Sequence, residues 1–280
     1  MNATPANVPE FDDIASLAEA VAAEYCPQPP FDPCPVLDDN DITISYGYYS
    51  TAFDGMLEHR SQRFHIYCNL ERADAADSPR ARFTVAHELG HFFIDDHRNA
   101  LKSGAPPHGS RSEFESNLLV EREADHFASH LLMPSAQFVK VARKNRPGMN
   151  GILGIAKHFG TSVTASAIRY AKTEIVPCVV IKWSPTDFQW MWISTDPFRA
   201  RLRTVQKRLT ALPSDCPTRI ALSRAEPPSC GYFEAGTTAA CWFPFLSDFD
   251  SRNIILREQA MQLGRFGALT FLFPVDSSFA

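Results

Sequence analysis

Arg82-Phe83-Thr84-Val85-Ala86-His87-Glu88-Leu89-Gly90-His91 is the stretch on which the reading of this chain turns. Its apolar residues recur at helical spacing, and the segment predicts a helix over 80–94. Four residues make slightly more than one helical turn, so His87 and His91 stack on one face with their rings about a turn apart. Two imidazole nitrogens so placed can reach one zinc ion at about 2.0–2.1 Å. Glu88 sits between them, where a carboxylate can take a proton from metal-activated water.

A hydrolytic zinc site needs a third protein ligand and an open position for water. Downstream, Glu121 and Asp125 again stand four apart on one helical face. Glu121 can complete a set of two histidines and one carboxylate, leaving Asp125 to accept a hydrogen bond from a ligating imidazole and fix its tautomer. The blander reading of that pair is two carboxylates on a solvated helix face. His97, His108, His126 and His130 are candidates for stabilising an oxyanion, but no spacing selects one of them.

Outward from these motifs, 12–25 reads as an amphipathic helix through Ile14, Leu17, Ala18, Val21 and Ala22, ended by Cys26-Pro-Gln-Pro-Pro. A strand is expected over 41–48. A hairpin over 56–69 turns near Ser61-Gln62, and its second strand, 64–69, is read as bordering the cleft. Ser110 stands three residues before Glu113, a capping-box spacing that predicts a helix from there to about Leu132. Two helices with a turn at Gly160-Thr161 fill 151–172. The pattern then changes to strands at 179–183, 189–194, 232–245, 254–258 and 268–273, interrupted by an Arg-rich helix over 198–209.

Composition sets the outer bounds. The 280 residues are 45% hydrophobic and 21% charged, ordinary values for a globular chain, and 21 phenylalanines supply core mass. No apolar run approaches the roughly 18 residues that cross a bilayer. The first ten residues show neither the basic nor the apolar region of a signal peptide. Seven cysteines, an odd number with no CxxC pair, fit reduced thiols better than a disulfide framework or a cysteine zinc knuckle. A cytoplasmic protein is expected. The net charge of −5 is uneven: residues 1–134 carry −13, 135–173 carry +7 and 174–280 carry +1, so different parts are expected to face different partners.

Arg82 through His91, followed by Glu121-Arg-Glu-Ala124-Asp125-His-Phe127-Ala128-Ser-His-Leu131-Leu132-Met133-Pro134, resembles the ImmA/IrrE-type metallopeptidases. The strand ending Ile66-Tyr67-Cys68-Asn69 fits the same pattern, and the resemblance covers about residues 30–172. It implies that Glu121, ten residues before the Leu-Leu-Met-Pro signature, binds zinc, and that Glu123 does not. Many relatives carry asparagine where this chain has Asp125. The resemblance also implies a selective protease that cuts a transcriptional repressor in a bacterial stress response, and a helix-turn-helix unit after the peptidase core.

The expected architecture is therefore α+β: a minimal gluzincin-like zinc peptidase domain over 1–134, a helix-turn-helix-like unit over 135–174, and a mainly antiparallel, sensor-like β domain over 175–280. The cofactor is one Zn2+, with Mn2+ admitted by the same donors. The expected partner is a protein substrate, a helix-turn-helix repressor, with no membrane. The rival from another class is a DNA-binding regulator with a structural or vestigial metal site, reading DNA through a helix around 163–170. That helix offers only Arg169 and Lys172 as cations, and a purely structural unit needs neither. A zinc hydrolase acting on a small amide is the third reading.

Overall fold

The computed structural model describes residues 11–71, 73, 75–106, 109–110, 118–194, 212–223, 231–244, 246 and 249–275. The Arg-rich helix expected over 198–209 lies outside them. The chain divides into two compact units, residues 1–138 with 156–162, and residues 139–155 with 163–280.

In the first unit, α1 (Phe11–Tyr25) and α2 (Cys34–Asp39) precede three strands, β1 (Ile42–Gly47), β2 (Gly55–Arg60) and β3 (Arg63–Asn69). β2 and β3 form the expected hairpin. Ser61 and Gln62 both take positive φ, 51° and 64°, the twist a two-residue hairpin loop requires. The sheet order is β1-β3-β2, with β1 parallel and β2 antiparallel to β3. The strand expected at the cleft's border, β3, is thus paired on both sides, and the edges are β1 and β2. Alternation along β3 signalled burial of one face but carried no information about which neighbour the outer strand would be.

α3 (Pro79–Phe93) packs on β2 and β3 and against α5 (Leu119–Leu132), which also meets α1. Ser78 starts α3 by accepting the Ala81 N–H, with Pro79 in the first turn, where its missing donor costs nothing. Arg82 ties that first turn down, donating to the carbonyls of Phe31, Asp77 and Gly160. α4 (Asp95–Lys102) follows α3 after the single residue Ile94. α5 begins at Leu119, later than the capping-box spacing suggested. Ser110 caps nothing among the described residues; it forms a β-bridge with Gly55.

The three helices α6 (Ser135–Lys144), α7 (Met149–Phe159) and α8 (Val163–Lys172) occupy the segment expected to be helical. Residues 156–162 belong to the first unit and 163–172 to the second. In the second unit, α8 packs on the edge of an all-antiparallel sheet ordered β5-β4-β8-β7-β6. Its strands are β4 (Val179–Trp183), β5 (Phe188–Ile193), β6 (Phe233–Thr238), β7 (Ile255–Gln262) and β8 (Ala268–Pro274), with α9 (Pro217–Ser223) packed across β6, β7 and β8. The strand expected over 232–245 ends at Thr238 and gives way to a helical turn, Ala239–Trp242. Val179, Ile181, Trp183, Trp242, Phe243 and Leu272 are at the centre of this core. Glu258 is buried beside them, accepting from the Thr218 N–H and hydroxyl and from the Trp242 indole.

Candidate metal centre

α3 and α5 lie side by side because Gly90 presents no side chain to α5. A Cβ there would stand 3.1 Å from the Ala124 Cα and 3.2 Å from the Phe127 Cβ, tighter than ordinary contacts allow. This approach brings His87, His91 and Glu121 together, all buried, with one donor atom from each within 4.8 Å of the others. His87 Nε2 is 3.1 Å from His91 Nε2 and 3.4 Å from Glu121 Oε2, and His91 Nε2 is 3.5 Å from Glu121 Oε1. Two donors about 2.0–2.1 Å from a tetrahedral zinc ion stand roughly 3.3–3.4 Å apart. The observed triangle has that size, so the residues fit a zinc ion.

Around the triangle the carboxylates have separate tasks. Asp125 Oδ1 is 2.9 Å from His87 Nδ1, the position expected for it. Glu123 faces elsewhere, its Oε2 being 2.9 Å from His97 Nε2, while His97 Nδ1 is 3.1 Å from His91 Nδ1. His97 escaped selection from sequence because it reaches the site only by the chain turning back at Ile94, and its partner Glu123 is 26 residues away. His130 instead pairs with Glu19 at 2.9 Å, His126 meets the Phe11 ring edge-on, and His108 lies outside the described residues.

Burial and these partners pull the two imidazoles in opposite directions. For His87, burial favours the neutral ring, but the bonds to Asp125 and Glu121 outweigh it and push the pKa up to about 10. For His91, burial dominates and takes it down to about 3. One proton shared beside acceptors is the pattern of a site that a divalent cation can take over by displacement.

Glu88 is 1% exposed and is held by the loop opposite. The Ser110 hydroxyl donates to Glu88 Oε1 at 2.5 Å. Ser110 is itself fixed to the start of β2: the Asp54 N–H donates to its carbonyl and its own N–H to the Gly55 carbonyl, each at 2.8 Å. Asp54 is buried and bonded to Arg80 in the first turn of α3 at 2.8 Å. Asn69 organises the preceding loop, accepting from the N–H groups of Tyr49 and Glu71 and donating to the carbonyls of Ser50 and Phe53. Gly55 leaves the space Glu88 occupies, since a Cβ there would come within 2.5 Å of Glu88 Oε1.

Residues 59–170, which include this whole constellation except Gly55 and its loop, match the family model of peptidase M78, described as the IrrE N-terminal-like domain. The chain carries an IrrE N-terminal-like domain. None of the curated proteins compared with it matches. Among solved structures, a Mycobacterium tuberculosis transcriptional regulator is similar at a TM-score of 0.56 and 13% identity, over 94% of this chain and 76% of that one. At that identity the likeness concerns the fold alone. No helix among the described residues is long and apolar enough to cross a membrane.

Proposed function

We propose that the IrrE N-terminal-like domain is a zinc-dependent endopeptidase that cleaves a specific intracellular protein, a helix-turn-helix transcriptional repressor. The observation that carries the reading is the donor triangle of His87, His91 and Glu121 with Glu88 between the two histidines on the same helix. A bound zinc ion supplies Lewis acidity, polarising the scissile carbonyl and acidifying water. Glu88 accepts the proton of the water that attacks the carbonyl carbon, then returns it to the nitrogen as the C–N bond breaks. Ser110 holds the carboxylate in place, and Asp125 keeps the His87 ring oriented through Nδ1. An extended substrate adds to β2, the edge strand that packs on α3, through main-chain hydrogen bonds. Such pairing selects sequence weakly, so a second contact is needed, and the exposed cations Lys140, Arg143, Lys144 and Arg146 offer one. We place the protein in the cytoplasm, as its free thiols favour.

The regulator reading draws support from the name of the similar fold, but α8 speaks against DNA recognition. Arg169 is 7% exposed, and Lys172, though exposed, lies over the Trp192 ring at 4.5 Å, so the helix offers phosphate one accessible cation at most. Co-expression with the repressor encoded nearest this chain's gene tests the proposal. Glu88→Gln should keep its zinc and abolish cleavage, and reversal of the four cations should slow cleavage of the intact repressor far more than of a short peptide spanning the cut. Cleavage surviving Glu88→Gln rules the mechanism out, and sequence-selective duplex binding without proteolysis replaces it with the regulator.

A further inference from the structure

One buried hydrogen-bonded chain runs into the metal centre without serving any step above. It begins at Glu123, passes through His97 and ends on His91, and all three side chains are buried. Its direction follows from the chemistry of its ends. An ionised carboxylate only accepts, so the His97 nitrogen 2.9 Å from Glu123, Nε2, carries a proton. In a ring with one N–H the other nitrogen is an acceptor, which makes His97 Nδ1 the acceptor for His91 Nδ1 at 3.1 Å. His91 Nδ1 therefore carries its ring's proton, and the lone pair of Nε2 points at His87 Nε2 and Glu121.

Resting on the metal-centre reading, we infer that Glu123, acting through His97, is a positioning residue that holds His91 in its metal-binding tautomer. His87 receives the same instruction directly from Asp125. Both anchors come from α5, two and four residues beyond Glu121, so the helix that supplies the third ligand also sets the proton positions of the other two. Glu123→Leu and His97→Leu keep apolar volume and remove the chain; each should lower zinc affinity by about 10–100-fold. Glu123→Gln retains an acceptor for His97. His97→Gln offers one acceptor and one donor, and both conservative variants should stay within a few-fold of the parent. The double Leu variant should lose no more than the worse single one, because both break a single chain.

Zinc affinity is measured on the full chain by competition with a chromophoric chelator. The tautomers are read by 15N NMR of the imidazoles in the unsubstituted protein, a measurement that needs no variant to fold. A proton on Nδ1 of His97, additive losses in the double variant, or Leu variants that melt earlier yet bind zinc unchanged would each overturn the relay and leave the metal centre standing. An unsubstituted chain that binds zinc no better than His91→Ala overturns the metal centre, and the relay with it.

Discussion

Alanine at position 55 puts a methyl group where the Glu88 carboxylate, the proposed base, now lies. Its Cβ would be 2.5 Å from Glu88 Oε1, 2.5 Å from Thr84 Cγ2 and 3.2 Å from Glu88 Cδ. The carboxylate can swing away, but Thr84 is a β-branched residue inside α3 with little rotamer freedom, so helix and strand must also part slightly. Crowding of this kind costs about 1–3 kcal/mol. Release of the Ser110–Glu88 bond adds about 1.5–3 kcal/mol, as for hydrogen bonds to charged groups. At roughly 2–4 °C per kcal/mol for a unit of this size, Gly55→Ala should melt about 5 °C or more below the parent by calorimetry. Hydrogen exchange should rise in β2 and the middle of α3. Zinc affinity should stay within a few-fold, because the nearest atoms to the new methyl belong to Glu88 and Thr84 and not to a ligand. Cleavage should fall with the displaced base. A variant that melts within 1 °C of the parent while cleaving normally would show that Gly55 is not the space-maker for Glu88.

Zinc must displace the Nε2 proton of His87 that faces Glu121, while the Nδ1 proton stays hydrogen-bonded to Asp125. The ring's pKa stands at about 10, so below that value affinity should rise about tenfold per pH unit, with close to one proton released in calorimetry across buffers, and a flat profile contradicts the shift. Glu258 is raised above its ordinary 4.5, chiefly by burial, so folding favours its protonated form. Its stabilising contribution is full below pH 4.5 and is lost as pH rises through the higher folded value. Denaturation followed by tryptophan emission should show that loss and Glu258→Gln should flatten it, since all four tryptophans belong to the second unit. Among the thiols, Cys241 is exposed and lowered by its bond to Thr238 and should react first with a disulfide reagent. Cys68 and Cys178 are pushed up to about 12 by burial and should react only on unfolding.

Much of the first unit was legible because its signals are local. The helical spacing of 87, 88 and 91, the Ser61-Gln62 turn and the periodic apolar residues of α1 each depend on neighbours within one or two turns. What stayed hidden depends on distant partners. The family resemblance sets Glu123 aside as a ligand and gives it no other role, yet it faces a histidine that returns to the site only after α3 ends. Ser110 had the local credentials of a helix cap, and the residues it would cap lie outside the described ones; its bonds to the Asp54–Gly55 backbone and to Glu88 depend on partners too distant in sequence to read. The position of β3 between β1 and β2 required knowing strand order, which hydropathy does not encode. In the second unit, the antiparallel character was legible from short strands, while the break at Thr238 was not, since the apolar run simply continues into a helical turn.

Gly90 turns the spacing between two helices into a dial on ion choice. A Cβ at 90 would stand 3.1–3.2 Å from Ala124 and Phe127, so a side chain there should widen the separation of α3 and α5 by a few tenths of an ångström. Glu121 rides on one helix and both histidines on the other, so that change passes directly into the bite of the donor set. A small, firmly held ion prefers the short setting, whereas ions that accept longer oxygen bonds and more neighbours tolerate the wider one. Alanine or serine at this position should then shift the preference of the candidate centre toward larger divalent ions without altering any of its proposed donor atoms.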